Sequence, residues 1–128
     1  MALMLIDTDI LIDVARSIAP ALDRLEHEEQ SSTLAISAIT KMELIVGCRN
    51  RGELQQLNDF LQRYQLIPLS EPISAQATKL MTAYYLSHGL LIADAVVAAT
   101  AITLNVPLLS KNQRDYRFIA GLSLLPYP

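Results

Sequence analysis

The alternation of short apolar runs with longer stretches of helical spacing constrains this chain more than any other feature. Met1 to Asp7 is a brief apolar run closed by polar residues, the pattern of a buried strand, and it predicts the central strand of a sheet. From Ile10 to Gln30 the apolar positions Ile10, Leu11, Val14, Ile18, Leu22 and Leu25 follow helical spacing, and Ser17 to Pro20 divides them into two helices. Thr33 to Ile39 predicts a second strand, after which Thr40 opens a helix to about Asn50. Arg51 and Gly52 read as a turn, Glu53 to Tyr64 as an amphipathic helix and Leu66 to Leu69 as a third strand. Pro72 starts a helix that runs to about His88, Gly89 stops it, and Leu91 to Leu104 reads as a strongly apolar helix. Val106 to Leu109 predicts the last clear strand, with a further edge strand near Ser123 to Leu125. Such alternation implies an α/β fold, a three-layer α/β/α sandwich around a mostly parallel sheet. Ligands of such sheets collect beyond the carboxyl ends of the strands, where the strand order reverses.

With 128 residues, 52% of them hydrophobic, the chain is expected to form one domain over 1–128, and it carries no internal repeat or linker. The longest uncharged apolar stretch, Ala95 to Leu104, falls short of the roughly 20 residues of a membrane span. No basic region precedes the apolar run at the N-terminus, so that run is expected to belong to the fold and the protein to the cytoplasm. Cys48, His27 and His88 are too few for a zinc cluster, and any metal would be held by oxygen. A net charge of −3 argues against a passive nucleic-acid-binding module, since those gain affinity from surplus Lys and Arg. Carboxylates gathered in one site would nevertheless reverse their local sign once they held cations.

The acids fall where such a site belongs. Asp7 closes the first strand, with Asp9 two residues on; Thr8 or Asp9 as a helix cap explains one polar residue there but not Asp7. Glu43 follows Thr40 by three residues, and T-K-M-E matches a capping box, yet the same position places Glu43 near the strand ends. Asp94 is the one charged residue between Lys79 and Lys111, in an apolar helix where an unpaired carboxylate is costly. A first-turn anion favoured by the helix dipole is the simpler reading, and a bound cation the functional one. After the last strand, L-L-S-K-N-Q-R-D-Y offers Ser110, Asn112 and Asp115, which as a plain polar loop would need no function. Three or four clustered carboxylates raise one another's pKa unless a cation separates them. Oxygen ligands alone suit Mg²⁺ or Mn²⁺, and such ions support attack on a phosphodiester.

Four segments together, L-I-D-T-D-I-L-I-D (Leu5 to Asp13), S-A-I-T-K-M-E-L-I-V-G (Ser37 to Gly47), I-A-D-A-V-V-A-A-T-A (Ile92 to Ala101) and L-L-S-K-N-Q-R-D-Y (Leu108 to Tyr116), resemble the PIN-domain family, and more narrowly its VapC-type toxins. The resemblance covers nearly the whole chain. It implies a PIN-like three-layer fold, a metal-dependent endoribonuclease, and Asp7, Glu43 and Asp94 as the acidic catalytic and metal-site positions with Thr8 as the hydroxyl residue after the first. Many members carry a fourth acid where Asn112 stands; here the nearest is Asp115, which leaves open which of the two fills that position and whether one ion or two are bound. The resemblance further implies an RNA substrate, a cognate antitoxin of a type II toxin–antitoxin pair and a homodimer. Helices around Glu43 to Cys48 and Leu54 to Leu61 offer apolar walls for a partner, or else face the protein's own core.

Two other readings stand beside this one. A different metal-dependent phosphate-directed enzyme, such as a flap-type nuclease or a phosphatase, would use the same acids; a non-enzymatic binding module would need none of them. Arg49, Arg51, Lys111, Arg114 and Arg117 are candidates for phosphate contacts, which position a strand without identifying its bases.

Overall fold

The computed structural model describes residues 2–128. Strands β1 (Ala2–Ile6), β2 (Ser32–Ser37), β3 (Gln65–Ile67) and β4 (Leu108–Leu109) form one parallel sheet in the order β3-β2-β1-β4. Six helices connect and cover it: α1 (Thr8–Ala15), α2 (Ala19–Glu29), α3 (Ala38–Val46), α4 (Arg51–Leu61), α5 (Glu71–His88) and α6 (Ile92–Leu104). This is the expected PIN-like α/β arrangement, with β1 in the interior of the sheet.

Successive strand side chains point to opposite faces, so each strand feeds two cores. Leu5, Ala35 and Leu108 join Ile73, Ala77 and Leu80 of α5 and the small residues Ala95, Ala98 and Ala99 of α6. Met4, Ile6, Leu34, Ile36 and Leu109 face Ile10, Leu11 and Val14 of α1, Leu25 of α2 and Leu61 of α4. Burial on both faces explains why the strands read as continuous apolar runs rather than as alternating ones. The chain leaves β1 toward β2 and β3 on one side and reaches β4 on the other, so the order reverses between β1 and β4. Asp7 and Ser110 are the residues immediately beyond that switch point.

Several boundaries differ from expectation, each for a local reason. The third helix starts at Ala38, capped by Ser37, whose hydroxyl accepts from Ile39 N at 3.2 Å, and it ends at Val46. Thr40 is therefore inside its first turn, and the capping box read from T-K-M-E does not form. Arg51 and Gly52 are the opening turn of α4 and not a separate turn, because the Asn50 side chain caps it by accepting from Glu53 N at 2.9 Å. Gly89 ends α5 as expected, at φ +67°, a left-handed conformation that favours glycine. The edge strand near Ser123 to Leu125 reduces to a single bridge between Leu108 and Leu124, held by Leu108 N to Ser123 O and Leu125 N to Leu108 O, both 2.9 Å. Met1, included in the first expected strand, lies outside the described residues.

Candidate active site

Asp7 is fixed by the sheet before it meets any ligand. Its backbone N–H donates to Leu109 O at 3.0 Å, its φ and ψ of −77° and 159° make it the N-cap position of α1, and its carboxylate accepts from Thr8 N and from Ser110 Oγ, each at 2.8 Å. Asp7, not Thr8 or Asp9, is thus the cap residue, and Thr8 is the first helical residue. Only 6% of Asp7 is exposed. Burial, and then the neighbouring charge of Asp9, push its carboxyl up to about 7. Asp9 is itself shifted upward by burial, against the opposing hydrogen bond from Lys111 N at 3.3 Å.

The other acids approach from three further elements. Glu43, in the second turn of α3, accepts from Thr8 Oγ1 at 2.8 Å, and the buried Thr40 hydroxyl lies 3.1 Å from the same Thr8 oxygen. Asp94, in the first turn of α6, receives the Tyr116 hydroxyl at 3.2 Å. Burial raises its pKa most, the Tyr116 hydrogen bond opposes this, and the charges of Asp115, Glu43 and Asp9 raise it further. These four acids, from α1, α3, α6 and the 3₁₀ turn at Gln113–Asp115, therefore form one electrostatic group. Asp115 accepts from the Asn112 side-chain amide, and Asn112 N donates to Ser110 Oγ, so the last motif is tied as a unit to the Asp7 side of the site. Tyr116 is 1% exposed, and burial followed by the charges of Asp7 and Asp94 drives its pKa far upward. It stays a neutral donor.

Whether these residues fit a cation follows from the donors. They are carboxylate and hydroxyl oxygens, burial and neighbouring negative charge raise the carboxyl pKa values of Asp7 and Asp94, and no Lys or Arg pairs with Asp7, Glu43 or Asp94 among the described residues. Among the described residues no three Asp, Glu, His or Cys side chains stand close enough together to hold a metal ion as they are placed. An all-oxygen donor set is the kind Mg²⁺ takes, an ion that keeps several waters and uses one or two carboxylates.

A comparison with protein families decides the kinship: the model described as PIN domain matches residues 4–121. The chain belongs to the PIN-domain family. It is 32% identical over 111 residues to Ribonuclease VapC10 of Mycobacterium tuberculosis, an alignment covering 86% of this chain and 83% of that one. It is also 32% identical over 126 residues to Ribonuclease VapC1 of Methanocaldococcus jannaschii, covering 97% and 86%. Among solved structures, a toxin–antitoxin complex from Klebsiella pneumoniae matches with a TM-score of 0.81 at 30% identity over 96% of both chains. VapBC2 from Rickettsia felis, bound to a promoter DNA fragment, matches at 0.83 and 26% identity over 98% and 99%.

Within this PIN domain the basic residues divide. Lys111 Nζ lies 2.9 Å from the buried carboxylate of Asp13, and Arg49 is held by Glu53 at 2.7 Å, so both are engaged within the chain. Arg51, Arg114 and Arg117 are exposed and enter none of the ion pairs among the described residues. Sequence reasoning missed Tyr116 and Thr40 and weighed Asp9 only as a cap. Nothing local marks Tyr116 or Thr40, whereas the repeated L-I-D spacing of Asp7 and Asp13 was a usable sign that α1 carries acids inward.

Proposed function

We propose that this PIN-like domain, taken as one unit over 1–128, hydrolyses RNA internally with Mg²⁺ or Mn²⁺ held by Asp7, Glu43 and Asp94, as the toxin of a toxin–antitoxin pair. The supporting observation is the acid group at the switch point, where Asp94 senses the charges of Asp115, Glu43 and Asp9 and Asp7 is pushed to about 7. Such a group is poorly tolerated without a cation. When bound, the cation supplies Lewis-acid stabilisation of the charge developing on the phosphodiester. The chain's own groups do the rest. Ser110 and Thr8 N–H orient Asp7, the Thr8 hydroxyl orients Glu43, Tyr116 orients Asp94, and the Asn112 amide donates to Asp115, so that either of these two stands as the candidate for the fourth position. Arg114 in the 3₁₀ turn, Arg117 just after it and Arg51 are exposed and are our candidates for contacts to RNA phosphates.

An antitoxin partner is supported by the solved relatives, which are toxin–antitoxin complexes. A groove of about 310 Å³ lined by Leu11, Leu44, Gly47, Leu57, Phe60 and Glu43 gives it an apolar seat beside the acids. Leu44, Leu57 and Phe60 also pack on the protein's own core, whereas Val46 at the end of α3 is 85% exposed. Exposed Leu86, Leu91 and Ile92 where α5 meets α6 favour a homodimer. No helix among the described residues is long and apolar enough to cross a membrane; the cytoplasmic location is part of the proposal.

Millimolar Mg²⁺ or Mn²⁺ should raise the melting temperature, because binding to the native acids but not to the unfolded chain stabilises by about 2.7 kcal/mol at a hundredfold excess over Kd. Cleavage of single-stranded RNA should appear under the same conditions, with duplex DNA and a small phosphate ester left intact. An unshifted melt, identical in Asp7→Asn, would remove the metal site from the proposal.

Because Ser37 caps α3, Glu43 has no capping duty, and its two substitutions test charge alone. Glu43→Gln and Glu43→Ala should each hold stability within about 0.5 kcal/mol, as exposed positions do, and each should lower cleavage by at least about a hundredfold. Wild-type cleavage by Glu43→Gln would exclude Glu43 as a ligand.

A further inference from the structure

Beside the acid group, between the end of α5, the start of α6 and the 3₁₀ turn, lies a cavity of about 190 Å³ whose walls include His88, Gly89, Leu91, Asp94, Asp115 and Phe118. Drug-sized ligands occupy roughly 300 to 1,000 Å³, so this space suits a single ring system. One wall is aromatic. The His88 and Phe118 rings stack with centroids 4.0 Å apart and planes 12° from parallel. Tyr84 packs edge-on against both, at 5.9 and 5.2 Å, and its hydroxyl accepts from Ala120 N at 3.1 Å. Ser87 Oγ, 2.7 Å from His88 Nδ1, fixes the imidazole from its own helix. Tyr84 also ties the Phe118 segment to α5, and the exposed His88 presents a flat ring at the cavity's edge. A Cβ placed on Gly89 would meet nothing within 4 Å, so the rim is open.

The opposite wall decides what enters. Asp94 and Asp115 line it, and carboxylate oxygens left free by a cation can accept hydrogen bonds from the amino and imino groups of a base. We propose that this cavity is a nucleobase subsite in which one unpaired base beside the cleaved phosphate stacks on the His88–Phe118 pair. The inference rests on the ribonuclease reading above and adds to it a determinant of where the strand is cut. Proteins that read single-stranded RNA use aromatic faces in this way, and loss of one such face weakens binding roughly 5- to 150-fold.

The test is steady-state cleavage of a short single-stranded RNA at saturating Mg²⁺ by wild type, His88→Ala and His88→Phe, with melts of each protein. His88→Ala should raise KM by about tenfold or more with a smaller change in kcat and an unchanged melting temperature, and His88→Phe should restore KM. The same RNA with an abasic nucleotide next to the cut should lose a similar factor with wild type and little further with His88→Ala. Additive losses, or an unchanged KM in His88→Ala while wild type cuts, would overturn the subsite. So would a His88→Ala protein that binds RNA normally and loses only a protein partner. If wild type cuts no RNA, the ribonuclease reading fails first and the subsite falls with it.

Discussion

Asp7→Asn should stabilise the metal-free protein at pH 8 by up to about 4 kcal/mol while abolishing RNA cleavage. The Asp7 carboxyl is raised from its ordinary 3.8 to about 7, first by burial and then by Asp9, and the move corresponds to about 4 kcal/mol. The sign follows from proton binding. Between about pH 4 and 7 the folded state holds a proton on Asp7 that the unfolded chain has released, so this group's contribution falls as pH rises through that window and is flat above it. An amide keeps both contacts, since its oxygen accepts from Thr8 N and its NH₂ faces Ser110 Oγ, which can accept as well as donate. For a chain of this length the gain amounts to roughly ten degrees or more in melting temperature at pH 8. Near pH 4 the two proteins should melt together. Melts across this range in chelator, beside an RNA assay in Mg²⁺, read both effects. A destabilised Asp7→Asn protein at pH 8 would mean that the carboxylate is held ionised by a partner and carries no strain for a cation to relieve.

The sheet and its helices were legible because burial on both faces leaves strands as short unbroken apolar runs, and because Ser70, Pro72 and Gly89 mark the ends of α5 chemically. Boundaries failed where two local signals compete. S-A-I-T offers hydroxyls at Ser37 and Thr40, and only the end of β2 pairing, at Ser37 opposite Ile67, selects the earlier one as the cap. Asp7 and Asp94 stood out because a charge at a strand end or in an apolar helix has few structural excuses. Tyr116 did not stand out. Its importance arises from bringing its hydroxyl to Asp94, 22 positions earlier in the chain, a contact no sequence window contains. Lys111 reads as a free cation in sequence and becomes a partner of Asp13 for the same reason, since the two are 98 positions apart.

Asp94→Asn should leave the metal-free fold unchanged or more stable, abolish cleavage and diminish the metal-induced rise in melting temperature. The structural alternative, an anion favoured by the first turn of α6, makes the opposite prediction for stability, a loss of about 0.3 to 1 kcal/mol with activity spared. Both forces act on this residue, because α6 has no side-chain cap and Asp94 is the acid of its first turn. The balance is set by what surrounds the carboxylate. Burial disfavours its charge most strongly, Asp115, Glu43 and Asp9 add repulsion, and the one opposing contact is the Tyr116 hydroxyl. An asparagine oxygen still accepts from that hydroxyl, so the substitution removes the charge and keeps the bond. What the helix end loses is then offset by relief from three like charges and from burial. Melts of both proteins in chelator and in Mg²⁺, with a single-stranded RNA assay, separate the cases. A less stable Asp94→Asn protein that still cuts RNA would place Asp94 outside the metal site and leave Asp7 and Glu43 to hold the ion without it.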